Sequence, residues 1–326
     1  MKFGKVPVEE AEGAVLAHSL TVADKRLRKG TVLLADDIAL LKQAGETAIT
    51  VAQYDEHDLS EDEAAKRLAA ALAGSGIRIS QAATGRVNLF AEGPGIVAVD
   101  AKAIDAFNAI NPMITVATLP PLARVDVGVM VATVKIISYA VAEADVMQAG
   151  ALASQAIALK APQYATAALI ETTWGGETSA KGETALKNRL ARLQVTLGPR
   201  RLVAHDTDAL VAALGEADAD VLFILTASAT SDVADVGPSA LVTAGGTLTQ
   251  FGMPVDPGNL LFLGRLGDRP VIGLPGCARS PALNGADWVI ERVICGESLT
   301  PDDFAKMGVG GLLKEIPSRP KPRAEI

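Results

Sequence analysis

The second half of the chain, from about residue 165 onward, alternates short apolar runs with segments of helical periodicity. Residues 221–225 form a continuous apolar run typical of a buried strand, and Leu186, Leu190 and Leu193 repeat at the spacing of one helix face. Strands that alternate with helices in this way predict an α/β fold, with a three-layer, mostly parallel sheet covered by helices on both faces. Strands are predicted at 166–173, 201–204, 221–225, 247–251, 259–263 and 270–274, and helices at 183–195, 206–215, 235–244 and 281–295, the last capped by Ser280.

The pattern before residue 165 is less regular and predicts smaller modules. Residues 1–75 predict a β-rich N-terminal module with a helix that opens at the capping box of Ser60 and Glu63. Residues 76–164 predict an α+β middle region, in which the β-branched run 128–137 forms a central strand. The α/β domain then spans 165–298, and 299–326 form a C-terminal extension whose proline-rich end, 317–323, is expected to be disordered or to start a linker.

Composition and charge exclude several classes of protein. The 326 residues carry a formal net charge of −8, so a basic nucleic-acid-binding face is not expected. The apolar runs fall far short of the roughly 20 residues that a membrane span needs, and the N-terminus lacks the apolar core of a signal peptide. Cys277 and Cys295 make neither a disulfide framework nor a zinc site by themselves. We therefore expect a cytoplasmic protein that binds neither nucleic acid nor a membrane.

Three predicted strands of the α/β domain end in turns of small or polar residues. In an open parallel sheet, ligands bind just beyond the carboxyl ends of the strands. A turn of small residues before a helix leaves backbone N–H groups that suit an anion, usually a phosphate, and nearby hydroxyls add further donors. We expect these turns to form one cleft for a phosphorylated ligand. The candidate binding residues are Thr172, Thr173, Thr226, Ala227, Ser228, Ala229, Thr230, Ser231, Pro275, Gly276, Cys277, Arg279 and Ser280.

Three residues near these turns have a chemistry of their own. Arg279 is the only cation within the last turn, which makes it the candidate for charge pairing with the anion. Asp235 is either the N-cap of the following helix or a contact to a metal ion or a ligand hydroxyl. Cys277 is either a small buried residue or a sulfur that faces the ligand. The three histidines have no spacing that suggests a catalytic triad or a metal site.

The order of these motifs resembles the molybdopterin-binding domain shared by molybdopterin adenylyltransferases and molybdenum insertases. The segment 226–230, followed by Asp235 and Leu241, has the spacing of that family's threonine–glycine–glycine–threonine–serine…aspartate…leucine signature. Residues 274–278 resemble its leucine–proline–glycine–asparagine–proline turn.

A further segment, 252–258, resembles the family's methionine/proline–glycine loop, which adds Pro257 and Gly258 to the candidate binding residues. The chain is most similar to the molybdopterin-binding proteins found alone or fused to molybdenum-cofactor cytidylyltransferases. The resemblance implies a ligand, molybdopterin or the molybdenum cofactor, with Mg²⁺ as an accompanying ion and Asp235 as its candidate ligand. It also implies a homo-oligomer and a cytidylyltransferase as a candidate partner.

The chain departs from the family pattern at positions that matter for chemistry. Ala227 and Ser228 stand where the catalytic members have two glycines, which narrows the room for a ligand to approach the backbone. The first strand lacks the aspartate that these members carry at its end, and offers only Glu171 before and Glu177 after that point. Pterin binding in cofactor biosynthesis or maturation is therefore the leading hypothesis. An active Mg²⁺-dependent nucleotidyltransferase or molybdenum insertase, and an interaction module that binds no pterin, are the alternatives.

Overall fold

The computed structural model describes residues 1–22, 24–176 and 178–313, and it divides them into two compact units. Unit 1 consists of residues 1–93 and 97–159, and unit 2 consists of residues 94–96 and the described residues from 160 onward. The proline-rich tail predicted to be disordered lies outside the described residues. Within the part of the chain that is described, no helix has the length and the apolar character that crossing a membrane requires.

Unit 1 contains two hydrophobic cores, one within residues 8–51 and one within residues 64–157. The first core lies beside a three-stranded sheet of order β1-β5-β2, and the second beside a four-stranded sheet of order β10-β12-β8-β7. The strands that precede residue 160 are β1 Lys2–Pro7, β2 Val15–Leu16, β3 Leu20–Val22, β4 Lys25–Leu27, β5 Ala48–Gln53, β6 Asp58–Ser60, β7 Ile77–Ile79, β8 Arg86–Ala91, β9 Gly95–Val99, β10 Ile114–Thr118, β11 Arg124–Val125, β12 Met130–Ile136, β13 Ala140–Ala142 and β14 Ile157–Lys160. The helices there are α1 Ala35–Gln43, α2 Glu61–Leu72, α3 Ala101–Asn108 and α4 Glu143–Leu152.

Two predictions for unit 1 are confirmed. Helix α2 begins directly after Ser60, whose hydroxyl accepts a hydrogen bond from the Glu63 N–H at 3.4 Å, as predicted. The reciprocal half of the predicted capping box is replaced by a bond from Arg67 Nε to the Glu63 carboxylate at 2.8 Å. Strand β12 lies between β10 and β8 with antiparallel neighbours on both sides, which makes the β-branched run a central strand. Both features follow from local sequence signals.

Unit 2 is built on one seven-stranded sheet of order β16-β15-β18-β21-β20-β19, in which β17 also pairs with β15. Strands β16 and β17 pair with successive parts of β15, so together they form one interrupted edge of the sheet. The strands are β15 Thr166–Thr173, β16 Thr196–Leu197, β17 Arg201–Ala204, β18 Val221–Leu225, β19 Thr247–Phe251, β20 Phe262–Leu266 and β21 Arg269–Leu274. The helices are α5 Lys181–Ala191, α6 Thr207–Glu216, α7 Val236–Thr243, α8 Gly285–Ile294 and α9 Pro301–Ala305.

This sheet is mixed, whereas the sequence predicts a mostly parallel one. Strands β15, β16, β17, β18 and β21 pair in parallel, but β20 pairs antiparallel with both β21 and β19. The reason is the connection between β20 and β21, which consists of Gly267 and Asp268 alone. A two-residue turn has no room for the crossover that parallel strands need, so these strands form a hairpin. The predicted strand at 259–263 accordingly begins later, at Phe262.

Helices pack on both faces of this sheet. Helices α6 and α7 share one apolar core with Ile170, Leu222 and Ile224. Because side chains alternate along a strand, Leu225 of β18 points to the opposite face, and there the start of α5 approaches it closely at Gly182. Helix α8 lies beside α5 on this second face, since Arg189 of α5 forms an ion pair with Asp287 of α8.

Helix α8 begins four residues later than the sequence predicts. The N-cap is Asn284 rather than Ser280, because the Asn284 side chain accepts from the Ala286 N–H at 3.0 Å. In return, the Asp287 carboxylate accepts from the Asn284 N–H at 2.8 Å, which completes a capping box. Arg189 donates to the carbonyl of Ser280, so the segment before Asn284 stays non-helical and forms a wall of the site.

Candidate functional site

The carboxyl ends of β15, β18 and β21 meet at one edge of the unit 2 sheet. Arg279, which follows β21, donates from Nη2 to the carbonyl oxygen of Thr226, which follows β18, at 3.0 Å. The same nitrogen lies 3.4 Å from Oε1 of Glu171, near the end of β15. The residues that the sequence assigns to one cleft therefore lie next to each other.

Glu171 is a buried carboxylate held between two guanidinium groups. Its side chain is 6% exposed, and its Oε2 accepts from Nη1 of Arg200 at 3.0 Å while its Oε1 faces Arg279. Arg200 also lies 3.6 Å from Oε2 of Glu183, in the first turn of α5. Together with Lys181, these three cations and two carboxylates sum to a local charge of +1 in a chain whose net charge is −8. The site therefore favours an anion locally despite the acidic composition.

A cavity of about 840 Å³ opens between the start of α5 and the turn after β21. This volume lies within the range of about 300–1,000 Å³ that is typical of small-molecule sites. Four predicted site residues line the cavity, namely Gly276, Cys277, Arg279 and Ser280, together with Ser179, Ala180, Lys181, Thr184, Ala185, Asn188 and Pro281. The residues from 179 to 188 were missed by the sequence interpretation, which begins the helix at Glu183 and searches only the turns directly after the strands.

The first turn of α5 has the chemistry of an anion site. Its N-cap, Ala180, has no side chain that accepts a hydrogen bond from the helix, and the Lys181 N–H donates to the Ser179 hydroxyl at 3.2 Å. A Cβ atom at Gly182 would lie 2.5 Å from Leu225 and 3.3 Å from the Arg279 stem. Glycine at this position therefore allows the positive end of the helix to approach the Arg279 side chain.

The turn after β18 is held mainly by its own hydrogen bonds. The Thr226 hydroxyl donates to the Ser228 carbonyl at 2.7 Å and lies 3.1 Å from the hydroxyl of Thr230, and both threonines are buried. The Ala227 N–H donates to the hydroxyl of Thr172 at 2.9 Å. Ser228, Ala229 and Ser231 are exposed, but none of the residues 226–231 lines the cavity. This turn is therefore a neighbour of the cavity rather than its wall.

Asp235 caps helix α7. Its Oδ1 accepts from the Val236 N–H at 2.8 Å and stabilises the start of the helix. Its Oδ2 accepts from the Ser231 N–H at 3.1 Å and stabilises the turn after β18. In residues 1–22, 24–176 and 178–313, no three His, Cys, Asp or Glu side chains are grouped so that they could hold a metal ion. A hard ion such as Mg²⁺ prefers a set of oxygen ligands in near-octahedral geometry. Asp235, the carboxylate that the sequence proposes as a metal ligand, instead accepts from backbone N–H groups with both oxygens.

The loop from Met253 to Asn259 contacts the start of α8, which in turn contacts the cavity wall. Pro257 and Gly258 are buried, and the Pro257 carbonyl accepts from the Gly285 N–H at 2.8 Å at the start of α8. Next to Gly285, the Asn284 side-chain amide donates to Sγ of Cys277 at 3.1 Å, which orients this exposed sulfur at the cavity wall. Pro257 and Gly258 thus act on the cavity through α8 and do not line it.

Arg189 holds the wall of the cavity in place. This side chain is 8% exposed, and its guanidinium donates to Asp287 Oδ1 at 2.7 Å and to three carbonyls in the turn after β21. These are the carbonyls of Ala278 at 2.8 Å, Ser280 at 2.9 Å and Ala282 at 3.2 Å. One buried arginine therefore fixes the shape of the segment that carries Cys277 and Arg279.

An aromatic pair lies at the same edge of the sheet, on the side of the turn after β18. Nδ1 of His205 lies 2.8 Å from the Thr172 hydroxyl, and Nε2 lies 3.2 Å from the Ser228 hydroxyl. The indole of Trp174, which directly follows β15, packs on the His205 ring with 4.4 Å between the ring centroids. Beside it, the Thr173 hydroxyl accepts from the Gly175 N–H at 3.0 Å. No sequence spacing identifies His205, because its partners come from two other strand ends.

Comparisons with known proteins find similarity at two levels. The profile of a domain of unknown function (DUF8806) matches residues 5–53, in the N-terminal module. No curated protein matches the chain. The solved structures similar to it include three proteins of molybdenum cofactor biosynthesis, each 14% identical in sequence.

The first of these structures is a molybdenum cofactor biosynthesis protein from Pyrococcus furiosus, with 85% of this chain and 59% of that chain covered and a TM-score of 0.24. The second is a molybdopterin biosynthesis MoeA protein from Pyrococcus horikosii, with coverages of 90% and 75% and a TM-score of 0.32. The third is molybdenum cofactor biosynthesis protein B, with coverages of 41% and 96% and a TM-score of 0.31. The chain therefore spans about three fifths of the length of the first protein.

Proposed function

We propose that unit 2 binds molybdopterin, or the molybdenum cofactor built on it, and acts in the biosynthesis or maturation of that cofactor. The observation that carries the proposal is the cavity at the carboxyl edge of the sheet. It is lined by the start of α5, which includes Lys181, and by Arg279 from the turn after β21. The motif order of residues 226–278 supports the pterin as the ligand, because it resembles that of molybdopterin-binding domains.

The phosphate of the ligand is proposed to lie beside the start of α5. Backbone N–H groups in the first turn of a helix point outward along its axis, where the helix dipole also favours negative charge. Lys181 and Arg279 both line the cavity and add two cationic donors. Arg279 is held in place by Glu171 and by the Thr226 carbonyl, so little side-chain entropy is lost when it binds an anion.

Hydroxyl and amide groups on α5 add polar contacts for the part of the ligand next to its phosphate. Thr184 and Asn188 lie one turn apart on the exposed face of α5 and line the cavity with Ser280 and Cys277. These side chains offer both donors and acceptors of hydrogen bonds. The proposed activity is binding, because Ala227 and Ser228 stand where the catalytic members of the family that the chain resembles have two glycines. Delivery of the bound cofactor to a cytidylyltransferase, by a homo-oligomer of this chain, is the accompanying proposal.

Equilibrium dialysis with molybdopterin under anaerobic conditions tests this proposal. We expect Lys181→Ala and Arg279→Ala each to weaken binding by about 10- to 100-fold, because a hydrogen bond to a charged group contributes about 1.5–3 kcal/mol. Lys187→Ala is the matched control, since Lys187 lies on the same helix, is exposed and does not line the cavity.

Inorganic pyrophosphate, used as a competitor, separates the phosphate contact from the rest of the ligand. It should displace molybdopterin from the wild-type protein and lose this ability in the Arg279→Ala protein. Equal affinity for molybdopterin in the wild-type, Lys181→Ala and Arg279→Ala proteins would refute the assignment of the cavity.

A further inference from the structure

Trp174 and His205 form an exposed aromatic pair outside the cavity described above. Their ring centroids are 4.4 Å apart and the ring planes meet at 60°. Trp174 is 75% exposed, although an indole is among the side chains that gain most from burial. Gly175 and Gly176 follow it with φ angles of 98° and 82°, which glycine adopts without strain. The chain therefore turns away directly after Trp174, and the indole stays at the surface.

The hydrogen bonds of Thr172 determine which nitrogen of His205 carries the proton. Thr172 is 2% exposed, and its hydroxyl oxygen accepts from the Ala227 N–H at 2.9 Å. An amide only donates, so the hydroxyl hydrogen needs a different acceptor. In the described part of the chain, the other polar contact of this hydroxyl is Nδ1 of His205, at 2.8 Å. Nδ1 is therefore the acceptor, and in the neutral ring the proton lies on Nε2.

Nε2 of His205 points toward the more exposed end of the cluster. It lies 3.2 Å from the hydroxyl of Ser228, an exposed side chain whose place a ligand acceptor would take. Within residues 178–313, no acceptor is found for the backbone N–H groups of Ser228, Ala229 and Thr230. The cluster thus presents donors beside an open aromatic face.

This cluster is close to the phosphate cavity. The carbonyl of Thr226 accepts from Arg279, which lines the cavity, and Ser228 follows two residues later. Two residues span at most about 7 Å. Ser228, which contacts His205, therefore lies near the carbonyl that Arg279 contacts, at the same edge of the sheet.

We propose that Trp174 and His205 form a subsite for a planar heteroaromatic ring that carries hydrogen-bond acceptors, the chemistry shared by a pterin and a purine. The indole stacks on the face of the ring, and the Nε2–H of His205 donates to an acceptor at its edge. The subsite rests on the proposed function, because it takes the ring of the ligand whose phosphate lies in the cavity. The subsite binds the ring by stacking and by a hydrogen bond, whereas the cavity binds the phosphate by its positive charge.

Titration calorimetry with fragments of the ligand tests the subsite. The probes are 6-hydroxymethylpterin and guanosine, which are rings without a phosphate, and inorganic pyrophosphate, which has no ring. We expect Trp174→Ala to weaken binding of the preferred ring about tenfold or more, the size that loss of aromatic stacking produces. Pyrophosphate binding should stay unchanged in this variant. Trp174→Phe keeps an aromatic face and should bind the ring within about threefold of the wild-type protein. The preference between the two rings identifies the source of the ligand.

Two spectroscopic measurements complete the test. In the Trp288→Phe protein, Trp174 is the remaining tryptophan, and a bound ring should quench its fluorescence. The ¹⁵N resonances of the neutral His205 ring should show its proton on Nε2 and not on Nδ1.

Equal ring affinity in the wild-type and Trp174→Ala proteins, or no binding of either ring, would overturn the subsite. A proton on Nδ1 would overturn the donor role of His205. If the wild-type protein binds a ring in a way that depends on Trp174 but does not bind pyrophosphate, the phosphate cavity is contradicted and the subsite is not. The two proposals thus fail by different results.

Discussion

Replacement of Arg189 by methionine tests whether one buried side chain holds the wall of the cavity. Methionine keeps most of the apolar stem of arginine but removes every donor. Arg189→Met leaves the Asp287 carboxylate, whose side chain is 8% exposed, without its cationic partner. It also leaves the carbonyls of Ala278, Ser280 and Ala282 without their donor.

The expected loss is large because the remaining charge is buried. Removing one partner of a buried ion pair costs about 3–5 kcal/mol of the free energy of unfolding. For a unit of this size, each kcal/mol lowers the melting temperature by about 2–4 °C, which predicts a decrease of about 6–20 °C. Pyrophosphate binding should weaken as well, since the same carbonyls fix the turn that carries Arg279.

Tryptophan fluorescence during thermal unfolding measures this effect selectively. The chain has two tryptophans, Trp174 and Trp288, and both belong to unit 2. Arg192→Met is the matched control, because Arg192 is an exposed arginine at the end of the same helix, and its change should stay within about 0.5 kcal/mol.

The double variant Arg189→Met/Asp287→Leu separates the charge from the carbonyls. It should regain part of the lost stability, since no charge then remains buried. It should not regain all of it, because the carbonyls still lack a donor and the Asn284 N–H loses its acceptor in the capping box. A decrease for Arg189→Met no larger than that for Arg192→Met would refute the role assigned to this side chain.

Two further predictions concern side chains away from the cavity charges. Iodoacetamide at pH 8 should label Cys277, which is exposed, and spare Cys295, because burial raises the pKa of the Cys295 thiol to about 12. At pH 8, about one Cys295 thiol in ten thousand is then ionised, whereas roughly one quarter of thiols with the ordinary pKa of about 8.5 are ionised. A native-state adduct on Cys295 in mass spectrometry would contradict its burial. In unit 1, the hydrogen bond from Lys25, together with the Leu34 N–H, holds the pKa of the Asp37 carboxyl below its usual value of 3.8. Because its pKa is lower in the folded state, the Asp37 carboxyl stabilises the fold at pH values above its usual pKa, and it loses this contribution as the pH falls through its folded-state pKa. Asp37→Asn removes the titrating group. Unfolding followed by circular dichroism should therefore show a smaller loss of stability on acidification in Asp37→Asn than in the wild-type protein.

Local signals were enough to predict several elements of this fold. The helix after Ser60 begins where its capping residue stands, because the N-cap hydrogen bond joins residues three apart in sequence. The meeting of Arg279 with Thr226 was also predictable, since the carboxyl ends of neighbouring parallel strands must lie at one edge.

The remaining features depend on residues that are distant in sequence. Helix α8 begins at Gly285 rather than after Ser280 because Arg189, about ninety residues earlier, takes the carbonyls of the intervening turn. The position of His205 depends on Thr172 and Ser228, each from another strand end. Periodicity carries no information about such contacts. The cavity wall from α5 was missed for the same reason, since its closeness to Arg279 depends on the space left by Gly182.

The hairpin of β20 and β21 has a consequence for how the site can change. Strand β19 runs in the same direction as β21, and β20 runs in the opposite direction, so the loop from Met253 to Asn259 reaches the edge where the parallel strands end. The loop connects the neighbouring antiparallel strands β19 and β20, and no helix lies between these two strands in the chain. Because the Pro257 carbonyl accepts from the Gly285 N–H at the start of α8, a change in the sequence of this loop should reach the cavity wall through that helix, while the parallel strands keep their pairing.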